Sequence, residues 1–138
     1  MFMLGVSDHV MIAHSFADPF FGPAQRLHGA TYTVDLEVRV DALGPHHVVM
    51  DIGALRALLR GILDGLDYRN LDEHAAFPGR TSTTERVAEY VGDRAAEAIA
   101  RVDADGAPPR GATLKVTVRE SPVAYAAYER PIAPRTSA

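Results

Sequence analysis

The 138-residue chain contains no cysteine. Disulfides, thiolate-ligated zinc and a cysteine nucleophile are therefore excluded together. Clustered positive charge is missing as well. With a net charge of -4 and no basic run, the chain lacks the Lys and Arg density that neutralises phosphates, which argues against nucleic acid and leaves a small molecule as the expected partner. The opening "MFMLGVSDHV" has neither a basic stretch ahead of its apolar residues nor a long apolar run. A signal peptide and a spanning helix are thus not expected, no membrane partner is expected, and a cytoplasmic location follows by default. Internal repeats and low-complexity tracts are also lacking. What remains is an ordinary globular balance of 47% hydrophobic and 23% charged residues, long enough to bury roughly two-thirds of its unfolded surface in one core.

Periodicity divides the chain into six regular pieces. Val6, Val10, Ile12, His14 and Phe16 share one parity, broken only by Asp8, which reads as a strand whose inner face includes His14. In "TYTVDLEVRVD" the alternation is cleaner, with Tyr32, Val34, Leu36, Val38 and Val40 on one face and Thr33, Asp35, Glu37, Arg39 and Asp41 on the other. Between them "ADPFFGPAQRLHGA" reads as a loop. The period then changes. Ile52, Leu55, Leu58, Leu59, Ile62, Leu63 and Leu66 predict an amphipathic helix over about 52–66, capped by Asp51. Ser82 and Glu85 have capping-box spacing ahead of a second helix carrying Val87, Val91, Ala95, Ala98, Ile99 and Val102. After the turn "DADGAPPRG", Leu114, Val116, Val118 and Glu120 share a strand face, and a short strand over 123–129 completes the pattern. The order ββααββ predicts an α+β fold, a four-stranded antiparallel sheet with two helices on one face, in a single domain over 1–129 followed by a tail over 130–138. A sheet this small leaves edges that other copies could complete, so a homo-oligomer is expected.

Three groups could carry chemistry: His14 with His28, the loop pair Asp67 and Tyr68, and Glu120. Each also has a plain structural reading. A histidine on an apolar strand face is commonly a hydrogen-bonded core residue, Asp67 could cap a turn, and Glu120 could sit where its strand emerges into water.

Taken in order, five segments resemble the family of 6-pyruvoyltetrahydropterin and 6-carboxytetrahydropterin synthases, which have the tunnelling or T-fold. "AHSF" at 13–16 is similar to the family's first zinc-histidine strand, and "RLHGATY" at 26–32 to its His-Gly-His-x-Tyr segment. "HVVMDIGALRALLRGILDGLDYRNLDE" is similar to the stretch running from Met-x-Asp-Phe through a helix to Leu-Asp-His-x-x-Leu-Asn. "TTERVAEYV" resembles the Thr-Ser-Glu start of the second helix, and "VTVRES" the Val-x-Glu-Thr that supplies a pterin-anchoring glutamate. The resemblance implies trimers whose sheets close into a barrel, often stacked as hexamers, with pockets between subunits. It also implies zinc on three histidines, a cysteine with an Asp-His pair for proton transfer, and a glutamate gripping the pterin ring.

The match is partial. His14 and His28 fall on two zinc ligands, but the third position is Ala30, the cysteine position is Ala24, and the histidine of the Asp-His pair is Tyr68. Asp67, Glu120 and the stretch Thr83-Thr84-Glu85 are kept. Two imidazoles alone hold zinc far more weakly than a preformed triad. His9, Asp18, His46, His47 and His74 are the residues that could complete the set. The expectation is a repurposed lyase or cyclase acting on a pterin-like or amine-bearing small molecule, with Asp67, Tyr68 and His28 as acid-base groups and Glu120, Thr83 and Thr84 binding substrate. An ordinary zinc-dependent synthase with relocated ligands and a non-catalytic heterocycle-binding protein are the alternatives.

Overall fold

The computed structural model describes residues 1–134. Two long strands dominate it: β1 (Phe2–His14) and β2 (His28–Val40) pair antiparallel without a break, from Phe2 opposite Val40 to His14 opposite His28. Helix α1 (Ile52–Asp64) follows, then β3 (Arg69–Asn70), helix α2 (Thr84–Ala100), β4 (Thr113–Ser121) and β5 (Ala124–Pro131). The sheet has the order β3-β1-β2-β4-β5.

This is the expected α+β arrangement with one strand more. β3 spans only two residues, parallel to Ile12 and Ala13 of β1, and a pair of residues is too short to show a period. β1 begins at Phe2 rather than near Val6, and β2 begins at His28. The intervening stretch is not wholly irregular, for Pro19–Gln25 form a 3-10 turn capped by Asp18, whose carboxylate accepts from Phe20 N at 2.9 Å. Gly22 supplies the positive φ of 53° at which that turn kinks. The expected tail is partly ordered: β5 runs on to Pro131 and Ile132 is buried, while 135–138 lie outside the described residues.

Both helices lie on one face of the sheet, α1 over β1 and α2 over β4 and β5. Leu55, Leu59 and Leu63 of α1 and Val87, Val91, Ala95 and Ile99 of α2 are buried against Val34, Leu36, Val38, Val116 and Val118. Each buried Leu contributes about 2 kcal/mol relative to exposure. Ile52 departs from the expected stripe: it begins the first turn and is exposed. Asp51 caps α1 as expected, accepting from Gly53 N at 2.9 Å. The cap of α2 is Thr83, whose Oγ1 accepts from Arg86 N, and not Ser82. Gly92 lets α2 approach β5, because a Cβ there would stand 2.5 Å from the Tyr128 ring.

Asp8, the residue that broke the parity of β1, meets Arg60 of α1 at 3.1 Å. Arg60 also binds Asp64, Asp67 and the His9 carbonyl, so one guanidinium ties α1 to β1 and to the turn after the helix. No helix among the described residues is long and apolar enough to cross a membrane.

Candidate functional site

The unbroken β1–β2 ladder brings the last residue of one strand opposite the first of the other, which places the His14 and His28 rings edge to face at 4.6 Å. His14 is buried. Its Nδ1 lies 3.0 Å from both the carbonyl and the hydroxyl oxygen of Ser82, and the His28 Nδ1 lies 2.8 Å from the Arg26 carbonyl. A carbonyl can only accept, so Nδ1 of each ring carries a hydrogen and Nε2 is the nitrogen left to face a ligand. Burial, and after it repulsion from His28, pushes the His14 pKa down, so the ring is neutral near pH 7.

A third strand adds the acid. At the end of β4 the pairing with β5 shifts register between Arg119 and Ser121, a bulge of the kind that re-aims a side chain at a sheet rim. Glu120 sits in that bulge and accepts a hydrogen bond from Thr84 Oγ1 at the start of α2. Beneath the pair, burial and the nearby Glu120 charge push the Tyr32 hydroxyl upward. Tyr32 is 1% exposed and remains a neutral phenol at physiological pH.

These groups line one cavity of about 480 Å³. His14, His28, Thr83, Thr84 and Glu120 all border it, so five of the seven residues expected at a site share a single space. Thr83 is partly committed elsewhere, since its hydroxyl caps α2. Asp67 and Tyr68 do not border it within one chain. Asp67 accepts from Met11 N at 2.9 Å and from Arg60, Tyr68 N donates to the Met11 carbonyl, and both residues stand at the outer edge of β1. Tyr68 is 81% exposed and held at a φ of 59°, a backbone state that costs a non-glycine residue about 1–3 kcal/mol.

The donors do not fit the zinc ion that the resemblance implies. Among the described residues no three His, Asp or Glu side chains converge on a common point. Ala30, which follows His28 on the same strand face, borders the cavity with only a methyl group. The residues that could have completed the set stand elsewhere. His9 is on the open surface beside Asp8, and Asp18 caps the 3-10 turn. His46 pairs with Asp105 at 2.8 Å, His47 occupies a tight turn, and His74 packs on Phe77 and Tyr90. Each imidazole is nonetheless backed by a carbonyl at its Nδ1, the kind of contact that orients a histidine ring.

Sequence reasoning missed two features. The spacing places Ser82 at a cap, whereas it is buried and hydrogen-bonded to His14. The aromatic side of the cavity was also missed: Phe16, Phe21 and Phe20 run in series, with centroids 4.3 and 5.2 Å apart. The parity of Phe16 with His14 was the available signal for the first of them.

A sheet flanked on one face by two helices, with histidines at a hairpin mouth and a glutamate at the end of a neighbouring strand, defines a T-fold protein. A family model described as 6-pyruvoyl tetrahydropterin synthase matches residues 4–131, and the chain belongs to that family. It is 30% identical over 131 residues to the 6-carboxy-5,6,7,8-tetrahydropterin synthase of Bacillus subtilis (strain 168), covering 92% of this chain and 84% of the relative. Among solved structures it resembles the 6-pyruvoyl tetrahydropterin synthase of Caenorhabditis elegans, with a TM-score of 0.77, 23% identity and coverage of 94% and 95% of the two chains. The corresponding Plasmodium vivax enzyme gives a TM-score of 0.69 at 20% identity, covering 96% of this chain and all of that one. At these identities the solved structures speak for the fold.

Proposed function

We propose that this chain is a repurposed lyase or cyclase of the tetrahydropterin synthase type, acting in the cytoplasm on a pterin-like or amine-bearing small molecule by acid-base catalysis. One observation carries the reading: two imidazoles, each held through Nδ1 by a carbonyl, and a carboxylate share one cavity, with no third metal ligand beside them among the described residues. Glu120 is the anchor. A carboxylate matches the paired N–H donors of an amidine edge and binds it in a bidentate, oriented way. Thr84 steadies that carboxylate from α2, and Thr83 borders the same corner. His28 takes or delivers a proton through Nε2, with His14 behind it.

Asp67 and Tyr68 join a cavity only across a seam between protomers. Support comes from the sheet edges. β5 has no strand on its outer side among the described residues, and β1 is paired there only at Ile12 and Ala13. Edges of this length invite pairing with another copy, and a trimer or hexamer assembled through them carries Tyr68 outward on a rigid turn. Asp67, fixed by Arg60 and Met11 N, orients the turn, and the Tyr68 phenol relays the proton.

The test is fluorescence titration of pterin against the wild type and Glu120→Gln, with metal analysis and turnover of dihydroneopterin triphosphate alongside. Binding that falls by about 100-fold in Glu120→Gln is expected, in line with loss of a charge-assisted bidentate contact. Unchanged binding removes the anchor from Glu120. Stoichiometric zinc together with product formation would instead establish an ordinary synthase, and binding without turnover of any pterin would leave a binding protein.

A further inference from the structure

The chemistry of the cavity wall narrows the ligand beyond its pterin-like edge. Only two charged residue types border the cavity, the carboxylates Glu85 and Glu120 and the two histidines, and no Lys or Arg is among the described residues lining it. The N-terminus of α2 opens there, but its partial positive charge is already met by Glu85 in the first turn and by Glu120. Within one chain, a polyphosphate would therefore meet two carboxylates and no fixed cation. The opposite wall is apolar. Ala24 and Ala30 present methyl groups only, and Phe16 and Phe21 continue outward to Phe20. Phe20 is 85% exposed on the kinked turn at the mouth. A large aromatic side chain left in water at the rim of a cavity is a contact surface without its contact.

We propose that the cavity selects an unphosphorylated planar heterocycle whose amidine edge lies on Glu120 and whose substituent is apolar or aromatic and stacks on Phe20 and Phe21. This rests on the pterin-type reading of Glu120 and adds the nature of the side chain. The methyl groups of Ala24 and Ala30 make room for that substituent where bulkier polar groups would stand. Phe20 is a specificity-determining residue rather than a catalytic one.

Three probes test the proposal on the full chain: pterin, pterin bearing a phenyl group at C6, and neopterin triphosphate. The phenyl derivative is expected to bind about tenfold more tightly than pterin, a gain of the size that one aromatic pair supplies, and the triphosphate more weakly than either. Phe20→Ala is expected to cancel the difference between the phenyl derivative and pterin, at unchanged melting temperature and sedimentation. The proposal is overturned if the triphosphate binds best, or if the phenyl gain survives Phe20→Ala. It is equally overturned if Phe20→Ala splits the assembly, since Phe20 would then be covered by another protomer. Failure of all three probes removes the Glu120 anchor along with it, whereas equal binding of all three removes the side-chain selectivity alone.

Discussion

At the scale of single residues, Ala30 is where a third imidazole would stand beside the two histidines. It follows His28 by two positions, on the same face and bordering the same cavity. An imidazole there would join two rings already braced through Nδ1 by backbone carbonyls. Ala30→His is expected to bring zinc content after dialysis close to one per chain, from a small fraction in the wild type. Equal metal content in the two proteins would contradict this account of the missing ligand. His14 makes a second measurement possible. Its pKa is held below 6.5 in the fold, first by burial and then by His28. The unfolded chain therefore takes up a proton at a higher pH than the folded one, and stability declines as pH is lowered through about 6.5 while this residue contributes no slope well above it. Urea unfolding at pH 5 and pH 7.5 should show a gap that narrows in His14→Gln. No narrowing would mean that other groups carry the acid sensitivity. His14, His28 and Glu120 were legible because strand parity and motif spacing both mark them. Ser82 was not, because its role depends on a ring 68 positions away that no local pattern reveals.

At the scale of elements, α2 and β5 are fitted to each other through one glycine. Helix propensity alone favours Gly92→Ala by about 1 kcal/mol. The ring it would meet is pinned, since Tyr128 Oη donates to Asp93 at 2.7 Å, and overpacking of this kind costs about 1–3 kcal/mol. Gly92→Ala is expected to lower the melting temperature by about 3 °C. In a Tyr128→Val background the same change should raise it, a reversal that a thermal-melt double-mutant cycle would detect. The long elements were readable because burial enforces a period over many residues. The two-residue β3 and the 3-10 turn were not, for they are set by hydrogen bonds to β1 and by a cap rather than by repeating hydrophobicity.

For the whole molecule, the sheet order leaves β5 and most of β1 as open borders, and the exposed Tyr68 turn stands at the β1 border. Sedimentation equilibrium at micromolar concentration is expected to give a trimer or a hexamer. A monomer at tens of micromolar would deprive Tyr68 of any route to a cavity and confine the chemistry to His14, His28 and Glu120.

The β1–β2 ladder has thirteen residues on each side and no bulge, so it works as a ruler that sets both imidazoles from the strands alone. The phenylalanines at 20 and 21 belong instead to the connection over residues 15–27, whose kink is local to Gly22. On the proposed reading, recognition and proton handling are thereby housed in separate parts of the fold. A connection of different length or composition could be grafted between His14 and His28 to accept a new side chain, with the paired rings left in place.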